Sequence, residues 1–163
     1  SHAKEVEFDT LPNFVLEKKF SIPAETLLEY VTNLSYRNFW VKGVDKFDYN
    51  ENEVTRIGTE HVCVINNKHF NFEAVKKKVK SGKFVYGEKT TNIPVADSFY
   101  QFYTITSVSE NTSHLKAELY WETRSLIKKI LMTLFGKRTL VKNTKNSLDL
   151  LFKFSEERRT MIT

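Results

Sequence analysis

From Val44 to Trp121 apolar and polar residues alternate with a period of two, and this run constrains the fold more than any other feature of the chain. It divides into six segments: "VDKFDY" (44–49), "TRIGTEHVCVI" (55–65), "HFNFEAVKKKV" (69–79), "KFVYGEKTT" (83–91), "SFYQFYTITSV" (98–108) and "SHLKAELYWET" (113–123). The breaks between them, "NENE", "INNK", "SG", "NIPVAD" and "SENT", are rich in turn formers. Parallel neighbours would need crossovers of a dozen residues or more, and these connections are too short, so the segments predict an antiparallel meander.

The flanks obey other periods. "FVLEKKFSI" (14–22), bounded by Pro12 and Pro23, predicts a first strand. In "SIPAETLLEYVTNL" (21–34), Ser21 is a plausible N-cap and Pro23 suits the first turn, while Leu27, Leu28, Val31 and Leu34 share one helical face. "SYRNFWVKGV" (35–44) predicts a second short helical turn ending near Gly43. After Trp121, Ile127, Ile130, Leu134, Val141, Leu148, Leu151 and Phe152 recur at helical spacing to about residue 157, interrupted only by Gly136. An unbroken helix of that length would measure ~50 Å, so a kink or break is expected near Gly136. The long helix must cover the sheet, which makes the fold class α+β.

At 163 residues one domain, 1–163, is expected. The aromatic content is high, with 13 Phe, 7 Tyr and 2 Trp against 5 Gly and 3 Pro, and that surface needs a wall or a cavity. One Cys excludes an internal disulfide and any CxxC zinc motif. No run is apolar enough to span a bilayer and the N-terminus lacks the order of a signal peptide, so a soluble cytoplasmic product is expected.

"GTEHVCVINNKHF" (58–70) holds two of the four histidines and the one cysteine. On a strand Thr59, His61 and Cys63 share one face, with His61 and Cys63 about 6.7 Å apart, and Glu60, Val62 and Val64 share the other. Zinc would need three or four ligands, which only Glu88, His69 or His114 could complete, so no metal and no other cofactor is called for. A Cys–His nucleophile lacks the contact a base must make and an orienting acid. The plainer reading makes His61 and Cys63 part of a mostly apolar wall, with His61 hydrogen-bonded to Glu88 or Tyr86. Trp40, Tyr86, Glu88, Phe99, Tyr103, Ile105, Leu119, Trp121 and Leu134 are the other candidates for that wall, against ordinary core packing as the alternative for each. On "SFYQFYTITSV" both faces are aromatic or polar, and alternation does not choose between them.

Between Glu122 and Asp149 lie Arg124, Lys128, Lys129, Lys137, Arg138, Lys142 and Lys145 and no acid, while the rest of the chain carries 18 bases against 20 acids. Interleaved with Ile130, Leu131, Leu134 and Phe135, Lys128, Lys129, Lys137, Arg138, Lys142 and Lys145 form candidates for contact with an anionic membrane surface. The alternative is a solvated helix back. No recognition motif accompanies these bases, so no nucleic-acid partner is expected. The lysines of "VKKKVKSGK" (75–83) read as an exposed, solubilising hairpin.

The order of one strand, two short helices, six antiparallel strands and a long terminal helix resembles the helix-grip fold of the START-like (SRPBCC) superfamily, which includes polyketide cyclases and birch-pollen allergen proteins. "FSIPAETLLEYVTN", "FWVKGV", "RIGTEHVCV", "NTSHLKAELYW" and "NSLDLLFKFSEE" carry the likeness over nearly the full length. "GTEHVCV" and "VYGEKTT" are similar to an uncharacterised bacterial branch, some of whose members lie beside or within nucleotide-cyclase proteins. The resemblance implies a curved seven-stranded sheet around the final helix, with a hydrophobic cavity for a lipid or another apolar small molecule. It leaves three readings open: a binding or transport domain, a cyclase-like or hydrolase-like enzyme with Glu88 and His61 as acid and base, and a scaffold serving a nucleotide cyclase. Monomer and dimer are both compatible with it.

Overall fold

A computed structural model of the protein describes residues 4–48 and 60–162. In chain order the elements are β1 (Lys4–Glu5), β2 (Phe14–Phe20), α1 (Ala24–Thr32), a 3-10 turn (Leu34–Tyr36), α2 (Arg37–Trp40), β3 (Lys46–Asp48), β4 (Glu60–Ile65), β5 (Lys68–Lys76), β6 (Lys83–Ile93), β7 (Ala96–Ser109), β8 (Thr112–Glu122), α3 (Leu126–Leu131), a π-helical segment (Met132–Gly136) and α4 (Lys137–Ile162). Thr59, the "NENE" turn and the start of the "TRIGTEHVCVI" segment lie outside the described residues. No helix among the described residues is long and apolar enough to cross a membrane.

The sheet order is β2-β8-β7-β6-β5-β4-β3, a meander from β3 to β8 closed by β2 antiparallel to β8. This is the seven-stranded curved antiparallel sheet with a long C-terminal helix that the alternation and the resemblance imply. An eighth strand was not foreseen: β1 runs parallel to β5, with Lys4 opposite Val75 on the edge that β6 does not use.

On the inner face α1, α2 and α4 pack against residues alternating along β6, β7 and β8. Leu27, Val31, Trp40, Ile105, Leu115 and Leu151 have no exposed surface there. Each fully buried aliphatic chain of this kind contributes about 1.5–3 kcal/mol. The α4 contribution is the stripe Ser147, Leu148, Leu151 and Ser155, spaced as one side of a helix. Helix α1 starts at Ala24 with Pro23 in the cap position, two residues later than a Ser21 cap would place it, and Leu27 N–H donates to the Pro23 carbonyl at 3.0 Å. The helix from Leu126 to Ile162 does not stop at Gly136. It passes through a π turn there, and a Cβ on Gly136 would come within 2.9 Å of Val95 Cβ and Met132 Sδ. Gly136 lets the helix press on the β6–β7 turn, so the expected break takes the form of a π turn.

The outer face of the sheet is also covered. Val6 N–H bonds the Lys76 carbonyl and Asn13 N–H the Leu119 carbonyl, both at 2.8 Å, so the segment between them spans from β5 to β8. Phe8 stacks on Tyr120 with centroids 4.0 Å apart and meets Tyr100 and Phe102 edge-on. Beneath lie Val75, Phe102 and Tyr120, and Lys77, read from sequence as a solvated lysine, pairs with Glu118 at 2.6 Å. Gly87 is directly opposite Phe102 in the β6–β7 ladder, and a Cβ there would penetrate the Phe102 ring. Gly87→Ala is therefore expected to cost about 1–3 kcal/mol in urea unfolding, as overpacking does. In the background of Phe102→Ala the same change should cost much less, and a cost independent of Phe102 would refute the packing account.

Candidate functional site

The inner face carries one charged group at its centre. Glu88, on β6, stands opposite Ala74 on one side and Gln101 on the other, and is 1% exposed. Its Oε1 accepts from Arg37 Nη2 at 2.6 Å and from the Tyr86 hydroxyl at 2.9 Å, and its Oε2 accepts from Gln101 Nε2 at 3.1 Å. Arg37, equally buried, also donates from Nε to the Val31 carbonyl at 2.9 Å. Its guanidinium carbon lies 5.3 Å from the Trp40 ring centroid and 5.5 Å from that of Tyr86. The short helix α2, which follows the 3-10 turn directly, puts Arg37 and Trp40 on the same inward side one turn apart.

Burial alone would raise the Glu88 carboxyl, but the guanidinium, His61 and the hydrogen bonds from Arg37 and Tyr86 override it and hold the group at about 2. Arg37 follows the same logic with the opposite sign: burial favours the neutral form, and Glu88 more than restores the charge. The pair is locked as ions.

His61 and Cys63 do share the inward face of β4, 4% and 2% exposed. The His61 ring stacks on Phe72 at 5.5 Å and 16°, with Phe47 at 6.0 Å. The hydrogen bond expected to Glu88 or Tyr86 is not made, because Arg37, Tyr86 and Gln101 take up the carboxylate. His61 Nε2 is buried with no hydrogen-bond partner among the described residues. Burial, opposed by Glu88 and assisted by Arg37, holds the imidazole below its ordinary 6.5 and so neutral at pH 7. Burial raises the Cys63 thiol, aided by Glu88, which removes the thiolate a nucleophile needs. His69 is exposed on β5 and His114 lies 3.6 Å from Glu17. No group of three or more His, Cys, Asp or Glu among the described residues is placed to hold a metal ion.

Trp40, Tyr86, Glu88, Phe99, Tyr103, Ile105 and Leu119 are buried. The register puts Phe99, Gln101, Tyr103 and Ile105 on the inward side of β7, with Gln101 opposite Leu119. One candidate is elsewhere. Leu134 is 59% exposed, because Met132 and Gly136 are the residues of the π turn that face inward. Trp121 faces Phe99 across the β7–β8 ladder, on the inward side, and is half-buried at the sheet's end. Lys128, a candidate for contact with an anionic membrane surface, pairs with Asp97 at 3.2 Å and donates to the Ala96 carbonyl at 3.3 Å. Arg37 and Gln101 escaped the sequence reading. The signal available was an arginine in the aromatic-rich stretch "YRNFWV" (36–41) facing a strand with one acid at an inward position.

No family model and no curated protein matches the sequence. Solved structures do. Norcoclaurine synthase from Thalictrum flavum superposes with a TM-score of 0.63 at 9% identity, over 88% of this chain and 86% of its own. Ara h 8.0201 gives 0.62 at 7%, over 88% and 97%. The di-domain ARO/CYC protein BexL gives 0.64 at 11% over 86% of this chain, which spans 45% of that longer one. This chain has the helix-grip fold. Its neighbours belong to the START-like superfamily that its motifs resemble, and at these identities the likeness is one of architecture.

The locked ion pair gives this helix-grip domain a defined pH dependence. Because the folded Glu88 holds its proton less tightly than an ordinary carboxyl at 4.5, its contribution is complete above pH 4.5 and is lost as pH falls toward 2. Glu88→Gln or Arg37→Met alone should lose about 3–5 kcal/mol at pH 7, and Arg37→Met/Glu88→Leu distinctly less than the two combined. In Arg37→Met the unpaired, buried carboxyl is raised above its unfolded value, so its contribution is greatest in acid and falls as pH rises. Urea midpoints from pH 3 to 8 test this. An unreversed slope in Arg37→Met refutes the assignment.

Proposed function

We propose that the domain binds an uncharged, mainly apolar small molecule at the inner face of the sheet, one polar group of which pairs with His61 Nε2. The observation that carries this reading is the buried imidazole nitrogen, which has no partner among the described residues. An unsatisfied buried polar atom costs about 1–3 kcal/mol, and folded proteins seldom keep one without a use. A neutral imidazole offers that nitrogen as donor or acceptor, which suits a hydroxyl, phenol or carbonyl.

The chemistry around His61 narrows the ligand. Arg37 and Glu88 satisfy each other, so neither is left to compensate a charged guest, and the surrounding wall is Phe47, Phe72 and Cys63. The same fold in norcoclaurine synthase is seen in complex with dopamine and hydroxybenzaldehyde, and of these hydroxybenzaldehyde is the uncharged, hydroxyl-bearing aromatic of the kind proposed here. The interior side chains pack on one another, so uptake requires them to part. Binding is favoured over acid–base or thiol catalysis, because Glu88 held at about 2 has no proton to donate at neutral pH and Cys63 is held as the thiol.

The test uses Nile red, a neutral apolar dye with a carbonyl acceptor. The protein should bind it with a blue-shifted emission, and His61→Phe, which keeps the stacking on Phe72 but removes the nitrogen, should weaken binding about tenfold, the equivalent of ~1.4 kcal/mol. Leu134→Ser/Phe135→Ser on the outer surface should leave it unchanged. No binding, or equal binding by His61→Phe, would overturn the reading.

A further inference from the structure

Segment 126–135 turns its apolar residues outward. Leu126 is 73% exposed, Ile127 71%, Ile130 48%, Leu134 59% and Phe135 62%. Positions 126, 127, 130 and 134 fall on one side of a helix. Phe135 joins them because the π turn adds a residue between Met132 and Gly136, which both stay inward against the β6–β7 turn. A soluble surface seldom gathers five large apolar side chains within ten positions unless something covers them.

The charges around this ridge are of one sign. Of the seven bases between Glu122 and Asp149, Arg124 pairs with Glu122 and Lys128 with Asp97. Lys129, Lys137, Arg138, Lys142 and Lys145 are exposed, and none has an ion-pair partner among the described residues. Lys129 borders Ile130 and Leu134 in one shallow groove, and Lys137 and Arg138 follow Phe135 directly. An apolar ridge wedged among unpaired cations matches the layering of an anionic bilayer, with acyl chains beneath and negative headgroups above. A protein partner would have to supply both an apolar groove and a ring of acids. A second copy of this chain presents the same cations and would repel.

We propose that the segment 126–135 docks the domain on an anionic lipid surface, with Ile127, Ile130, Leu134 and Phe135 entering the acyl boundary and Lys129, Lys137 and Arg138 contacting headgroups. The proposal does not depend on what the interior binds. Insertion is along the plane of the membrane, since the helix is too polar beyond Gly136 to cross it.

Flotation with phosphatidylcholine vesicles, with and without about 30% phosphatidylserine, tests it at ~50 and ~300 mM salt. The protein should bind the phosphatidylserine vesicles at least tenfold more tightly than phosphatidylcholine alone, and less tightly at the higher salt. Leu134→Ser/Phe135→Ser and Lys137→Glu/Arg138→Glu should each reduce binding tenfold or more, and Phe135→Trp should show a blue-shifted emission on vesicle addition. These substitutions are at exposed positions, and unchanged circular dichroism confirms that each variant is folded. Absence of vesicle binding, binding indifferent to phosphatidylserine, or binding unaffected by Leu134→Ser/Phe135→Ser would overturn the proposal. So would a concentration-dependent dimer that Leu134→Ser/Phe135→Ser abolishes in protein without vesicle affinity, which would assign the ridge to self-association.

Discussion

The contact between Arg37 and Glu88 is the constraint on which the interior depends. Two ions removed from water lose several kcal/mol of hydration each, and their attraction repays this only when the remaining hydrogen-bonding capacity is met. Here Val31, Tyr86 and Gln101 meet it, with two aromatic rings against the guanidinium. The pair joins α2 to the middle of β6, so the helical layer has one favoured position on the sheet. That position brings Trp40 against Tyr103 and directs its indole N–H to the Tyr30 carbonyl at 3.1 Å. It also sets the chain running on from α2, where Lys42 N–H meets Ser147 of α4 at 2.8 Å. The stripe of α4 that covers the sheet is thus registered through the same pair. An apolar substitute could match the stability but would not select one arrangement so sharply.

The pair has a second effect. The carboxylate's hydrogen bonds go to Arg37, Tyr86 and Gln101, and the buried imidazole of His61 keeps one nitrogen with no partner among the described residues. The ion pair and the unpaired imidazole are thus the two sides of one allocation of hydrogen bonds. Real proteins break the rule of full polar satisfaction mainly where function needs it, which is why the orphaned nitrogen weighs more than the apolar wall around it.

Much of the architecture was legible in the chain. Period two over 44–121, the short turns and the helical period after Trp121 specify strand number, antiparallel sense and the closing helix, because each is a local signal that tertiary packing reinforces. The inward face of β4 was legible for the same reason, as alternation separated His61 and Cys63 from Glu60 and Val62. On β7 alternation failed for a physical cause: the segment carrying Val6 and Phe8 buries the outer face too, so Phe102 is as buried as Ile105 and both faces select apolar residues. Nothing local in "KEVEF" announces a parallel pairing with a strand some seventy residues away. Arg37 was missed because burial of a charge depends on a partner distant in sequence, and Leu134 was misplaced because a π turn shifts the helical phase that the spacing argument assumed constant.

That phase shift links the two surfaces of the C-terminal helix. Were the α-helical register kept from Leu126 to Ile162, the residue after Leu134 would rotate toward the sheet and Phe135 would compete with Met132 and Gly136 for the space beside Val95. The extra residue of the π turn resolves the competition by sending Phe135 outward, at the cost of poorer hydrogen-bond geometry over one turn. A chain selected only for a stable lid has no reason to accept that cost and then place a phenylalanine at the exposed position it creates. Charge divides the molecule in the same way. The interior neutralises its ions in pairs, whereas the outer side of this helix leaves five cations without partners among the described residues, so the asymmetry follows the surface and not the overall composition. Packing within the domain accounts for the inward stripe of Ser147, Leu148, Leu151 and Ser155 but not for the outward one.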